Sequence, residues 1–315
     1  MPPVNLQKLL DVAVNLQAVF WQAVAAPPDL QMPELAFVKS VGATGLTVDL
    51  SLFGLDVSPK ELGPQGREIT ELVIDMWKKG YTPYTQTIRM HEDHVKELDA
   101  KMPGWESIIQ GWIPGAIKQK ATLARNVLIN GKTLDCWDGK KFFSTTHKSF
   151  KQGMAAQSNL LGYKFGEYAL WAAVEAYEEL KDPFSDQFVY NEARVIAYAS
   201  NIQREVVKNV LSAVIAASDN PAQFLKLKPV KWRGLADDSF MILDDNDPAA
   251  MPIIEVYDDA LGPNGVEWDE SDERWFHHRE YEIGTIMKRG LHPGAWHKAL
   301  YSDGTAYHDD DAPAE

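Results

Sequence analysis

Residues 128–147 read LINGKTLDCWDGKKFFSTTH. The stretch holds the only cysteine of the chain, Cys136, followed by Trp137, an Asp138-Gly139 turn, a Lys-Lys pair, the adjacent Phe142 and Phe143, and His147. Two readings compete. In one, Cys136 and His147 form a nucleophile–base pair. In the other, the stretch is a rigid loop pinned by Trp137, Phe142 and Phe143. A cysteine nucleophile needs a nearby base and a depressed pKa. No third, orienting residue is evident, and the helix expected before Cys136 turns its C-terminal end toward it, where a thiolate is disfavoured. The packing reading is therefore the better one: a small buried cysteine beside an Asp-Gly turn.

The segment before this loop is the clearest helix. Over 103–130, Ile113, Ile117, Ala121, Ala124 and Leu128 share a face, flanked by Trp112, Ala116, Leu123 and Val127. Lys118, Gln119, Thr122, Arg125 and Asn126 point the other way, as a half-buried helix requires. Pro114 should start a helix or kink one. Asn130-Gly131 should end it, with Gly131 in the left-handed position after the last turn.

Further toward the N-terminus the pattern changes period. Residues 37–57 and 81–91 alternate apolar or β-branched residues with small or polar ones and read as extended. Between them, 58–72 carries two prolines and two glycines among charges, the composition of an exposed loop tip. Residues 45–91 thus read as two extended arms around a tip. A hairpin of that length has too little local core to stand alone and must lie on something else. The first helix is amphipathic: Leu6, Leu9, Leu10, Ala13, Leu16, Phe20 and Val24 on one face, Lys8, Asp11, Asn15 and Gln22 on the other. It ends at Ala26-Pro27-Pro28 and reads as a packed helix rather than a targeting segment or a span.

After the loop, 166–182 is a helix closed by Pro183, and 193–199 a short buried strand. Ser200 or Asn201 is suited to cap a helix over 202–217. The stretches KPVKWR and FMILDD suggest a hairpin or further strand, and 251–259 another. Residues 281–304 read as two strands around a glycine-proline turn, and the tail HDDDAPAE is acidic. Alternating helices and strands of this kind make an α+β layer.

A composition of 45% hydrophobic and 24% charged residues is that of a globular protein with ample core. A net charge of −14 excludes a global basic footprint for nucleic acid and disfavours anionic membranes. Other candidate chemistry is thin. His91, Glu92 and His94 could chelate a metal if helical, but lack the H-E-x-x-H spacing. His277 and His278 could bind a metal or titrate near neutrality. Residues 244–250 resemble a calcium loop only in acidity. No P-loop, dinucleotide-binding glycine pattern or G-x-S-x-G elbow occurs. No cofactor is expected, and the ten tryptophans are spread along the chain, as core or interface residues would be.

Five stretches, in order, resemble the major head (capsid) subunit of Mu-like bacteriophages, with the Hong Kong 97-type capsid fold. They are QAVAAPPDLQ (22–31), LSLFGLDVSPKELGPQGREITEL (50–72), GYTPYTQTIRMHEDHVKELD (80–99), LINGKTLDCWDGKKFFSTTH (128–147) and YEIGTIMKRGLHPGAWHKAL (281–300). The fourth carries the most specific signature: Cys136, Trp137, Asp138, Gly139, Phe142, Phe143 and His147. The resemblance implies an N-terminal helix and arm over 1–44 and an extended loop over 45–92 reaching onto a neighbouring subunit. It further implies a peripheral domain from 93–150 with 281–315, and an axial domain over 151–280. It implies a structural protein and not an enzyme, whose partner is itself, in hexamers and pentamers of a shell around packaged DNA. Scaffold, protease, portal and decoration proteins would be further partners, the virion its place, and the host cytoplasm its site of assembly. Expected contacts between subunits are Leu52, Phe53, Leu55 and Tyr81, with Lys60, Glu61, Arg67 and Glu68 setting register at the loop tip. A cellular nanocompartment shell of the same fold is the nearest alternative. A metal-dependent hydrolase using His91/His94 or His277/His278 is the alternative of a different class.

The packing reading makes a direct prediction. Phe142→Ala or Phe143→Ala should cost about 3–5 kcal/mol in chemical denaturation if the ring is buried. Cys136→Ser should be much milder.

Overall fold

The computed structural model describes residues 6–25, 30–43, 47–54, 73–91, 98–148, 155–183, 191–219, 221–245, 250–258, 267–268 and 280–309. In chain order the elements are α1 (Leu6–Ala25), a 3-10 turn (Pro33–Phe37), β1 (Val38–Ala43), β2 (Thr47–Gly54), β3 (Val73–Gly80), β4 (Thr82–His91) and α2 (Leu98–Ile129). There follow β5 (Leu160–Tyr163), α3 (Glu167–Glu178), β6 (Val195–Ala199), α4 (Arg204–Ala217), α5 (Pro221–Leu225), β7 (Lys228–Trp232) and β8 (Phe240–Leu243). The last strands are β9 (Ile253–Asp258), β10 (Glu267–Trp268), β11 (Glu280–Pro293) and β12 (Ala299–Ala306).

Helix α2 is longer than its periodic core, beginning at Leu98 and running unbroken through Pro114. Proline there removes the bond to the carbonyl of Gln110. Gln110 is exposed, so water can take that carbonyl. Most of the expected face is buried (Trp112, Ile113, Ala116, Ala121, Ala124, Val127 and Leu128), Ile117 and Leu123 are half-buried, and Ile109 joins the buried face. Helix α1 lies on α2, burying Leu16 and Phe20.

The strands sort into two sheets and a ribbon. In the first sheet β1 runs parallel to β9 and β9 antiparallel to the second half of β11. The first half of β11 pairs antiparallel with β4, from Glu280↔His91 to Arg289↔Thr82, and the short β10 also joins it. In the second sheet the order is β5-β12-β8-β6-β7. Its central strands β6 and β8 are buried at every residue, which explains why VIAYA and FMIL show no alternation: both faces are covered. The ribbon is β2 with β3, antiparallel from Thr47↔Gly80 to Gly54↔Val73. The ribbon's second arm is thus 73–80, and the alternating stretch after it, β4, belongs to the first sheet.

Three local expectations give way to tertiary structure. The segments KPVKWR and FMILDD do not form a hairpin with each other: β6 lies between them, parallel to β7 and antiparallel to β8. The N-cap of α4 is Gln203, without a side-chain cap bond. Asn201 is drawn off, since its Nδ2 donates to Asp238 Oδ1 at 2.7 Å and its Oδ1 accepts from the Asp238 N–H at 3.1 Å. Gly131 does not take the left-handed backbone, which falls to Gly139 instead, at φ +74°. Gly131 is required for another reason: a Cβ there would sit 2.5 Å from Phe143 Cδ2 and 3.1 Å from Phe142 Cδ1. The chain leaves α2 with its backbone laid against the Phe-Phe pair.

The two glycines should therefore respond differently to substitution. Gly139→Asn should be nearly silent in urea denaturation, because asparagine tolerates the left-handed region and nothing lies within 4 Å of the added carbon. Gly131→Ala should cost about 1–3 kcal/mol by overpacking the aromatic pair.

Candidate functional site

The loop after α2 is held by buried polar groups as well as by rings. Phe142 and Phe143 meet edge-on at a 4.8 Å centroid distance, and Phe143 packs on Tyr301 at 5.1 Å. Both phenylalanines, Cys136 and Trp137 belong to the large core cluster that also contains the second sheet. His147 is fully buried. Its Nδ1 lies 2.7 Å from Asp138 Oδ2, and its Nε2 lies 3.0 Å from Asn159 Oδ1 and 3.2 Å from the Phe142 carbonyl. Its ring stacks on Trp296 at 4.2 Å with planes 3° apart.

The partner of His147 is therefore Asp138, held in turn by the backbone N–H groups of Lys140 and Lys148 at 3.0 and 3.3 Å. Burial alone would raise the Asp138 carboxyl. The hydrogen bond and charge of His147, with those two N–H groups, outweigh it and hold the carboxyl below the ordinary aspartate value. Cys136 is the opposite case. Burial, and then the Asp138 charge, push its thiol far up, and Sγ donates to the Gly294 carbonyl at 3.5 Å. A thiol kept protonated and enclosed is no nucleophile. The loop is a structural joint.

Further buried polar groups tie separate segments together. Glu255, on β9, lies 2.6 Å from Lys120 Nζ and 3.8 Å from Arg289 Nη1, and accepts from Ser40 Oγ at 2.6 Å. Arg125 of α2 pairs with the buried Glu34 of the 3-10 turn. Asn191 Nδ2 donates to the carbonyls of His297 and Tyr177, at 2.7 and 3.2 Å, and Tyr177 Oη donates to that of Lys298 at 3.1 Å. Sequence reading singled out none of these. Charges at 34, 120, 255 and 289 carry no local signal that they will meet. Among the described residues no cluster of His, Cys, Asp and Glu is placed to hold a metal ion, and no helix is long and apolar enough to cross a membrane.

The chain thus combines a packed loop with an α+β fold and a two-stranded ribbon. Residues 66–183 match the family model of the Mu-like prophage major head subunit gpT. The match includes the whole of α2 and the loop that follows it. The fold of the chain is the Hong Kong 97-type capsid fold. It is similar to the chain in the procapsid of bacteriophage JBD30, at 14% identity and a TM-score of 0.55, covering 96% of this chain and 76% of that one. It is also similar to the JBD30 capsid (11% identity, TM-score 0.46, 90% and 67% covered). A third similar structure is the holo-SrpI encapsulin complex of Synechococcus elongatus PCC 7942 (7%, 0.46, 91% and 96%). The curated proteins contain no match.

On this fold the expected contact residues fall in different places. Leu52 and Phe53 lie on β2, opposite Asp75 and Ile74 of β3. Tyr81 stands where the ribbon meets the first sheet. It packs on Ile254 and Val256 and donates to Asp258 Oδ2 at 3.2 Å. Leu55, Lys60, Glu61, Arg67 and Glu68 lie outside the described residues, as do Glu92, His94, His277 and His278. His91 closes β4 opposite Glu280.

Asp138 sets a pH dependence whose sign follows from its depressed carboxyl. It binds a proton less readily folded than unfolded, so its contribution is complete above the ordinary aspartate value of 3.8 and is lost as pH falls through the folded value. Asp138→Asn should lower stability by about 1–3 kcal/mol at neutral pH. It should also flatten the fall in stability on acidification, read by denaturation midpoints across an acid pH series.

Proposed function

We propose that the whole chain is the major capsid subunit that builds the icosahedral head of a tailed phage or prophage around double-stranded DNA. The observation that carries the reading is the match of 66–183 to the Mu-like major head subunit. The fold shared with the JBD30 procapsid chain over 96% of this one supports it, as does a signature loop that serves packing. The role is structural rather than enzymatic.

In this reading α1 and the segment to residue 44 form the N-terminal arm, and 45–92 the extended loop with its β2–β3 ribbon. Residues 93–150 with 281–315 form the peripheral domain around α2, and 151–280 the axial domain. The ribbon has no third strand among the described residues, and a two-stranded ribbon is marginal by itself. A neighbouring subunit supplies the missing support, with Leu52, Phe53, Leu55 and Tyr81 as the apolar contacts and Lys60, Glu61, Arg67 and Glu68 as the charged ones. Such head-to-tail contacts close into hexamers and pentamers. Scaffold, protease, portal and decoration proteins are the expected assembly partners, in the host cytoplasm. The negative net charge suits an inner wall that encloses DNA without gripping it.

Electron microscopy of purified, assembled protein tests this. Closed shells of uniform size are expected. A folded chain that stays monomeric, with and without a co-expressed scaffold, would overturn the proposal. Phe53→Asp should reduce shell yield at least tenfold while leaving circular dichroism unchanged.

A further inference from the structure

Helix α1 has a second apolar stripe that the fold leaves uncovered. Leu16 and Phe20 are buried against α2. At 100° per residue, Val14, Ala18, Trp21 and Ala25 fall together on the opposite side of the helix. All four are exposed, Val14 at 63% and Trp21 at 44%. Their spacing of four, three and four residues is that of a helix-packing seam. Asn15 and Gln22 border it on one side and Gln17 on the other.

Two features of the seam say what covers it. The first is charge. A chain of net charge −14 repels its copies over most of its surface, yet residues 12–28 carry no charged side chain. Two copies can meet here without setting like charges against each other. The second is size. Positions 14 and 25, and positions 18 and 21, are placed symmetrically about the midpoint of the seam. When two such helices cross antiparallel, Val14 of each faces Ala25 of the other, and Trp21 faces Ala18. Every large side chain meets a small one, which is what close packing at a two-fold contact requires. Toward the N-terminus the stripe continues as Asp11 and Gln7, so the apolar match ends where the symmetric overlap ends.

We propose that α1 pairs antiparallel with α1 of a second copy of this chain through Val14, Ala18, Trp21 and Ala25. Three helical turns bury well under the roughly 800 Å² per partner of a stable dimer. The contact therefore forms within a particle, where other contacts hold the copies together, and not as a free dimer. In this it rests on the capsid reading above.

The test uses the full-length Val14→Cys/Ala25→Cys double variant in purified particles, oxidised and run on a non-reducing gel. Cys136 is buried and gives little background. A covalent dimer is expected from the double variant. Neither single variant should link, because in an antiparallel pair the two copies of residue 14, or of residue 25, lie about 16 Å apart along the helix axis. Linking by a single variant would mean parallel or unrelated neighbours and overturn the proposal. Intact particles without a dimer would overturn it too, while leaving the capsid reading standing. Failure of the unmodified chain to form particles under any condition would remove both. As a second readout, Trp21→Glu should keep its helicity by circular dichroism and lose at least tenfold in particle yield. Undiminished yield would count against the pairing.

Discussion

One buried amide holds this fold together where its parts meet. Asn159 sits with no exposure to solvent. Its Nδ2 donates to the carbonyls of Phe142, Trp296 and Ala299, at 2.8, 3.0 and 3.2 Å, and its Oδ1 accepts from the Ser144 N–H at 2.9 Å. Those residues come from the exit of α2, the entry to β5, and the link between β11 and β12. Phe142 and Trp296 lie outside the strands and Ala299 is the first residue of β12, and an unpaired buried carbonyl is costly. Asn159 supplies partners to all three carbonyls. His147 completes the joint by bonding the same Oδ1 and the same Phe142 carbonyl while stacking on Trp296.

Around that joint the rest follows. With the loop fixed, α2 is fixed at its C-terminal end, and Glu255 and Glu34 fix its middle to the first sheet and to the 3-10 turn. The link Gly294–Lys298 passes from one sheet into the other, and Asn191 and Tyr177 bond its carbonyls. This short, heavily bonded segment is one of the links that couple the two sheets. The ribbon and α1 lie outside this rigid centre. On α1, Val14 and Trp21 remain exposed within the single chain.

Much of this was legible in residues 128–147. Two adjacent phenylalanines, a tryptophan and an Asp-Gly turn after a long amphipathic helix point to packing, and the structure buries all three rings. What could not be read was who meets whom. Cys136 and Asp138 are both near His147 in sequence, and spacing alone does not say which turns toward it; the tight turn at Gly139 selects Asp138. Gly131 was legible as a necessary glycine but not for its reason, because its constraint comes from the Phe143 ring and not from a helix cap. Asn201 has the side chain of a cap, yet a non-local partner, Asp238, competes for it and wins. The ribbon tip and both histidine clusters lie wholly or partly outside the described residues.

The sequence by itself determined the element types, the faces they bury, and a loop whose aromatic residues make packing the better reading than Cys–His chemistry. Periodicity carries that information because a side chain's direction is set by the local backbone. It also carried the resemblance to Mu-like head subunits, since the signature residues are close together in the chain. Only the tertiary structure decided the partners: β4 with β11, β6 between β7 and β8, Asp138 with His147, Lys120 with Glu255. A two-residue period says which way a strand faces but not which strand lies beside it. That choice is made by the whole chain at once, when burying the shared core leaves one arrangement in which the buried amides, carbonyls and charges find each other.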